Sequence, residues 1–84
     1  MVREGDYVAI FNSIHRVMKA EKVLKGKLLE ILLIPAPRAL QADCGLAIRY
    51  SAANRAAVEG ALAEEKLLPE VIYLRSGEEF IKMG

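Results

Sequence analysis

Residues Ile34-Pro35-Ala36-Pro37-Arg38-Ala39-Leu40-Gln41-Ala42-Asp43-Cys44-Gly45 follow neither a strand period nor a helix period, and apolar runs flank them on both sides. Prolines at 35 and 37 fix φ and withhold two amide donors, so neither a ladder nor a helix runs through the stretch. The flanking runs are therefore separate elements joined by a stiff loop. That loop also holds the chain's only cysteine, an arginine and a glycine.

Outside it the apolar period switches back and forth. Tyr7-Val8-Ala9-Ile10-Phe11 is too short for a helix and rich in aromatic and branched residues, which predicts a strand. Ser13 is a natural N-cap. From Ile14 a helical face follows, with Val17, Met18, Ala20, Val23 and Leu24, and Gly26 is the expected stop. Leu28–Ile34 lies between Gly26 and Pro35, a length that favours a second strand. Leu46-Ala47-Ile48-Arg49-Tyr50 alternates and predicts a third. Ser51 is a cap candidate for a helix from about Ala53 to Glu65, in which Gly60 is expected to permit close approach to a sheet. Leu67-Leu68-Pro69 leads out to a fourth strand, Val71–Arg75. Ser76–Gly84 reads as a polar tail carrying Phe80 and Ile81, with a frayed end, a short helix and a dimer contact all left open.

The order strand, helix, strand, strand, helix, strand is the split βαβ pattern. It predicts an α+β fold, a ferredoxin-like βαββαβ sandwich, with two helices on one face of a four-stranded antiparallel sheet of strand order 4-1-3-2. Residues 1–84 are expected to form one such domain, with the polar tail beginning at about 76. Tyr7, Ala9, Phe11, Val71 and Tyr73 have the parity to share one face. If that face is the open one, it is an apolar patch suited to a homodimer. A hydrophobic content of 54% in 84 residues points the same way.

Net charge is +1, with acids and bases interspersed. No basic block suggests nucleic acid, and no apolar run approaches the length needed to span a bilayer. One cysteine closes no internal disulfide, and Met1–Asp6 lacks the apolar core of a signal peptide. Both favour a cytoplasmic, reducing location.

Right-handed connectivity makes the first two strands parallel. The end of strand one, the end of strand two, the start of strand three and the start of the first helix then fall at one end of the sheet. Ser13 and His15 are expected to meet Arg38, Cys44 and Gly45 there. A thiol attacks as thiolate, and a helix N-terminus, an arginine or a protonated histidine lowers its pKa. Gly45 gives backbone access, and Pro35 and Pro37 hold Arg38 in place. Asp43 opposes this, because an adjacent carboxylate disfavours thiolate. There is no metal-ligand spacing, and one cysteine with one histidine closes no zinc site in a monomer. No phosphate-binding glycine loop occurs. A Cys–His catalytic pair lacks an orienting third residue.

The stretches Ile10–His15, Ala20–Leu24, Leu33–Arg38 and Cys44–Ile48 resemble, in spacing and order, the Se/S carrier protein-like domain family (DUF3343). The resemblance extends to about Tyr73. It implies a carrier, non-enzymatic or barely catalytic, that holds sulfur or selenium on Cys44 as a persulfide or perselenide. Arg38 and Gly45 would be the neighbours of that thiol, with Ser13 and His15 from the helix start. No cofactor is implied beyond the covalent chalcogen. The implied partners are donor and acceptor proteins. Ile14 and Asp43 depart from the family pattern, in which a polar and a small residue are common. The C-P-x-P motif of TusA-type sulfur carriers is absent. Two other readings follow from the residues themselves. One is a dimeric binding or regulatory module with a structural cysteine. The other is a soft-metal binder that takes Cys44 from two subunits.

Overall fold

The computed structural model describes residues 2–40 and 45–84. Five strands form one antiparallel sheet: β1 (Tyr7–Ile10), β2 (Leu32–Pro35), β3 (Leu46–Tyr50), β4 (Val71–Ser76) and β5 (Glu79–Lys82). They lie in the order β2-β3-β1-β4-β5. The first four strands thus follow the order read from the sequence. Helices α1 (Ile14–Gly26) and α2 (Arg55–Glu64) complete the α+β architecture, and a 3₁₀ turn, Ala52–Asn54, precedes α2.

The four-strand expectation is corrected to five. Ser76–Gly84 is not a loose tail, because a two-residue turn at Gly77-Glu78 folds it back with Ser76 opposite Glu79 and Leu74 opposite Ile81. Gly77 takes φ +61 at the first central position, the requirement of a type II′ hairpin turn.

The second strand is also shorter than expected, because Leu28 and Leu29 belong to the end of α1. Leu28 sits at φ +60. Its amide donates to the Lys25 carbonyl (3.0 Å), and that of Leu29 donates to the Leu24 carbonyl (3.1 Å). This is a Schellman closure, in which an apolar residue just past the helix packs back on the last turn. Leu29 does so against the core that contains Leu24. Gly26, expected to stop the helix, is its last helical residue. Helix α2 ends the same way, with Lys66 at φ +56 and the Leu67 amide on the Leu62 carbonyl (2.8 Å). Beyond its own helix, Gly60 has no described atom within 4 Å of where a Cβ would stand, so it does not serve a close approach to the sheet.

The core has two parts, one on each face of the sheet. On the helix side Ala9, Phe11, Ile48 and Tyr50 meet Val17, Ala20, Leu24, Val58 and Leu62. On the other side Val8, Ile10, Ile34 and Ala47, at most 2% exposed, pack with Leu40 and Val71, and with Val2, Ala36, Tyr73 and Phe80 at the margin. The register places Ala9 opposite Ile72 and Ile10 opposite Val71. Tyr7, Ala9 and Phe11 therefore face the helices, whereas Val71 and Tyr73 face away, which corrects the expectation that all five share a face. The second face is not bare either. Leu40 packs onto it from the Pro37–Leu40 turn, and Val2 near the N-terminus and Phe80 of β5 pack at its margin. That removes the exposed patch on which a homodimer through this face was argued.

Candidate functional site

Ile10 pairs with Ala47, and Pro35 with Leu46. The end of β1, the end of β2 and the start of β3 thus share one rim of the sheet, and α1 begins just beyond it. Ser13 caps α1, its Oγ accepting from the Arg16 amide at 3.2 Å. A cap of this kind stabilises a helix by about 1 kcal/mol. His15 follows in the first helical turn and is exposed.

Pro35 closes β2, one of the sheet's two edge strands, a position that tolerates its missing donor. The Ala36 amide donates to the Gly45 carbonyl (2.9 Å), so the loop is tied where it leaves and re-enters the sheet. The Leu40 amide donates to the Pro37 carbonyl (2.9 Å), which makes Pro37–Leu40 a turn with Arg38 exposed at its tip. Leu40 is 8% exposed and plugs the second-face core. Gly45 takes φ +73, where a side chain is strained although no described atom would obstruct it. Glycine is needed there for conformation, in addition to any access it gives.

Cys44 lies outside the described residues. Among those described, Ser13 and His15 approach the rim from the helix layer, while Arg38 stands on a turn anchored in the opposite layer. No hydrogen bond or ion pair among the described residues links His15 to Arg38. Pro35 and Pro37 line a shallow cleft of about 330 Å³ with Val2, Ile34, Arg75 and Phe80. Arg75 holds this corner together, donating to the carbonyls of Val2 and Gly77 (both 2.8 Å) and lying 5.6 Å over the Phe80 ring. Among the described residues no cluster of three or more His, Cys, Asp or Glu is placed to hold a metal ion. No described helix is long and apolar enough to cross a membrane.

Two polar networks at the far rim escaped the sequence reading. Asp6 is buried, accepting from the Arg3 amide (2.9 Å) and from Arg49 Nη1 (3.0 Å). Its signal was available: an acid just before β1 and an arginine interrupting the apolar alternation of β3. In the second network Tyr7 and Tyr50 stack with centroids 5.7 Å apart, and Tyr50 donates to Glu59 (2.9 Å). Arg55 donates to both Glu59 and the Tyr7 hydroxyl (3.0 Å each). Burial first, and then the bond to Glu59, push the Tyr50 hydroxyl pKa above its ordinary value. Only the Arg55–Glu59 spacing was visible beforehand.

A family model described as "Putative Se/S carrier protein-like" matches residues 6–74. No curated protein and no solved structure gives a significant match.

Proposed function

The chain belongs to the putative Se/S carrier protein-like family, and on that premise we propose that Cys44 carries a sulfur or selenium atom between a donor and an acceptor protein. The match spans Cys44 together with the elements on either side of it, and that observation carries the reading.

The step needs no external oxidant. The Cys44 thiolate attacks the outer sulfur of a donor persulfide, the donor S–S bond breaks, and the donor leaves as thiolate. The outer atom, now on Cys44, passes on when an acceptor thiolate attacks it and Cys44 is released. A perselenide transfers its terminal selenium in the same way. Each transfer moves a zero-valent atom and exchanges one chalcogen–chalcogen bond for another.

The residues around the loop fit this role. Arg38, exposed at the tip of its turn, would offer a cation to the persulfide anion, and the α1 N-terminus, with His15 in its first turn, would add positive potential from the helix layer. The anchors on either side of the cysteine, Leu40 and Gly45, would limit how far the thiol wanders. We place this activity in the reducing cytoplasm, on a single ferredoxin-like domain extended by β5.

Intact mass spectrometry after incubation with a persulfide donor tests the proposal. The expected result is a gain of one sulfur atom, reversed by dithiothreitol and abolished in Cys44→Ser. An unchanged mass under conditions that load a known carrier would defeat it.

A further inference from the structure

The two edges of the sheet are not alike. At β2 the Ala36 amide donates inward to the Gly45 carbonyl (2.9 Å), and Pro35, opposite Leu46, takes the neighbouring outward position. Peptide groups of an antiparallel strand point inward and outward alternately. The missing donor of Pro35 therefore falls on the open edge, where it discourages pairing with another strand. β5 has no proline. Ser76 faces Glu79 across the two-residue turn, Leu74 faces Ile81, and the Met83 amide donates to the Ile72 carbonyl (2.7 Å). Glu79, Ile81 and Met83 thus turn their peptide groups toward β4, and Phe80 and Lys82 turn theirs outward. The Ile72 amide on the Gly84 carbonyl (2.9 Å) keeps this edge extended as far as Gly84. An apolar stripe runs beside it. Ile81 lies on the helix side of the sheet with Ile72 and Leu74, which pack on the core there, yet Ile81 is 46% and Met83 41% exposed. Outward donors and acceptors beside uncovered apolar side chains are a template for strand addition.

We propose that β5 is an interface with a second copy of this chain, the two β5 strands pairing antiparallel about a two-fold axis through Ile81. The strand is complementary to itself in this register. Phe80 and Lys82 flank Ile81, so the axis sets the outward peptide groups of each against those of the other, and each such pair exchanges both of its hydrogen bonds. On the helix side Ile81 meets Ile81 of the second copy, and Met83 meets the stem of its Glu79. On the other side the stem of Lys82 lies along the second copy's Phe80 while its ammonium reaches water. No like charges stand opposite each other, whereas an axis through Lys82 would set two ammonium groups face to face. A net charge of only +1 leaves little long-range repulsion between copies. The pairing uses the same strand on both sides and Pro35 guards the other edge, so assembly closes at a dimer. β5 lies at the opposite edge of the sheet from β2, and the inference does not depend on chalcogen chemistry at Cys44.

Sedimentation equilibrium of the full chain tests this. The mass should rise from 9.3 kDa toward twice that value with concentration. A Kd of about 10–100 μM is expected, because one strand pair buries less than the roughly 1,200 Å² of a standard interface. Ile81→Lys and Ile81→Glu each place like charges across the axis and should weaken association about tenfold or more, while an equimolar mixture of the two should associate again. Lys82→Pro removes an outward donor without touching the bonds to β4, and should also weaken association. Both positions are exposed, so the variants should fold, and thermal unfolding checks that they do. The inference is overturned by a monomer mass at every concentration, by a dimer that persists unweakened in Ile81→Lys or in Lys82→Pro, or by an Ile81→Lys and Ile81→Glu mixture that stays monomeric.

Discussion

Leu28 stands where a glycine would be expected. It holds φ +60 at the closure of α1 while its side chain is 92% exposed, so it contributes almost no burial in return for its strain. A side chain in the left-handed region costs about 1–2 kcal/mol relative to glycine. Replacing it by glycine also frees the unfolded chain, which returns about 0.5–1 kcal/mol to the unfolded side. Leu28→Gly should therefore stabilise the fold by about 0.5–1 kcal/mol, or raise Tm by roughly 3–6 °C in a chain this short. Leu28→Ala keeps both the Cβ and the φ, so it should stay within about 0.5 kcal/mol of the parent. Urea unfolding followed by far-UV circular dichroism measures both, with equal slopes required so that midpoints can be compared. The reasoning fails if Leu28→Gly is no more stable than Leu28→Ala, because the strain would then not be where the backbone places it.

Leu40→Ala should lower stability by about 2–5 kcal/mol, since it opens a hole under the second-face core. Denaturant midpoints report this, and a loss smaller than that of an exposed substitution would show that the turn is not anchored there. Tyr50 predicts an alkaline limit. Its folded-state pKa is raised above the ordinary 10.0, so the folded chain holds that proton more tightly than the unfolded chain does. Its contribution to stability is intact below the unfolded value and falls as pH rises above it, by up to about 1.4 kcal/mol per pH unit. Absorbance of tyrosinate should show one of the three tyrosines un-ionised until the chain unfolds, and Tyr50→Phe should flatten the alkaline loss. Three tyrosines titrating together in a folded chain would contradict this.

How much the sequence disclosed follows from what each signal encodes. Strand β3 was legible to the residue, because Leu46, Ile48 and Tyr50 alternate with Ala47 and Arg49 between clear stops. The Leu28–Leu29 pair misled, because apolar residues after a helix serve a Schellman closure as readily as a strand, and no glycine marked the left-handed position. The β4–β5 hairpin was hidden by polar residues, although Gly77 alone satisfied its turn. The face assignment failed for a deeper reason. Parity within a strand says which residues go together, but only register between strands says which sets share a face, and a shift of one residue exchanges them. For the candidate site, the common rim was predictable from connectivity. The layer from which each group reaches it was not, since that depended on where Leu40 packs.

That last point bears on how a small chain could present a reactive loop. The residues beside Pro35 and Pro37 are stiff in themselves, but local stiffness does not set a loop's direction. Direction is set here by Leu40, which is drawn into the second-face core, and by the Ala36–Gly45 bond, which fixes the return to β3. The second face can receive Leu40 only because the hairpin and the N-terminal strap cover its margins, with Arg75 tying Val2, Gly77 and Phe80 into one corner. The fifth strand thus acts on the loop at a distance, through the shared core. Shortening the chain before Glu79 would expose that face and release the turn bearing Arg38, even though every residue of the loop itself remained.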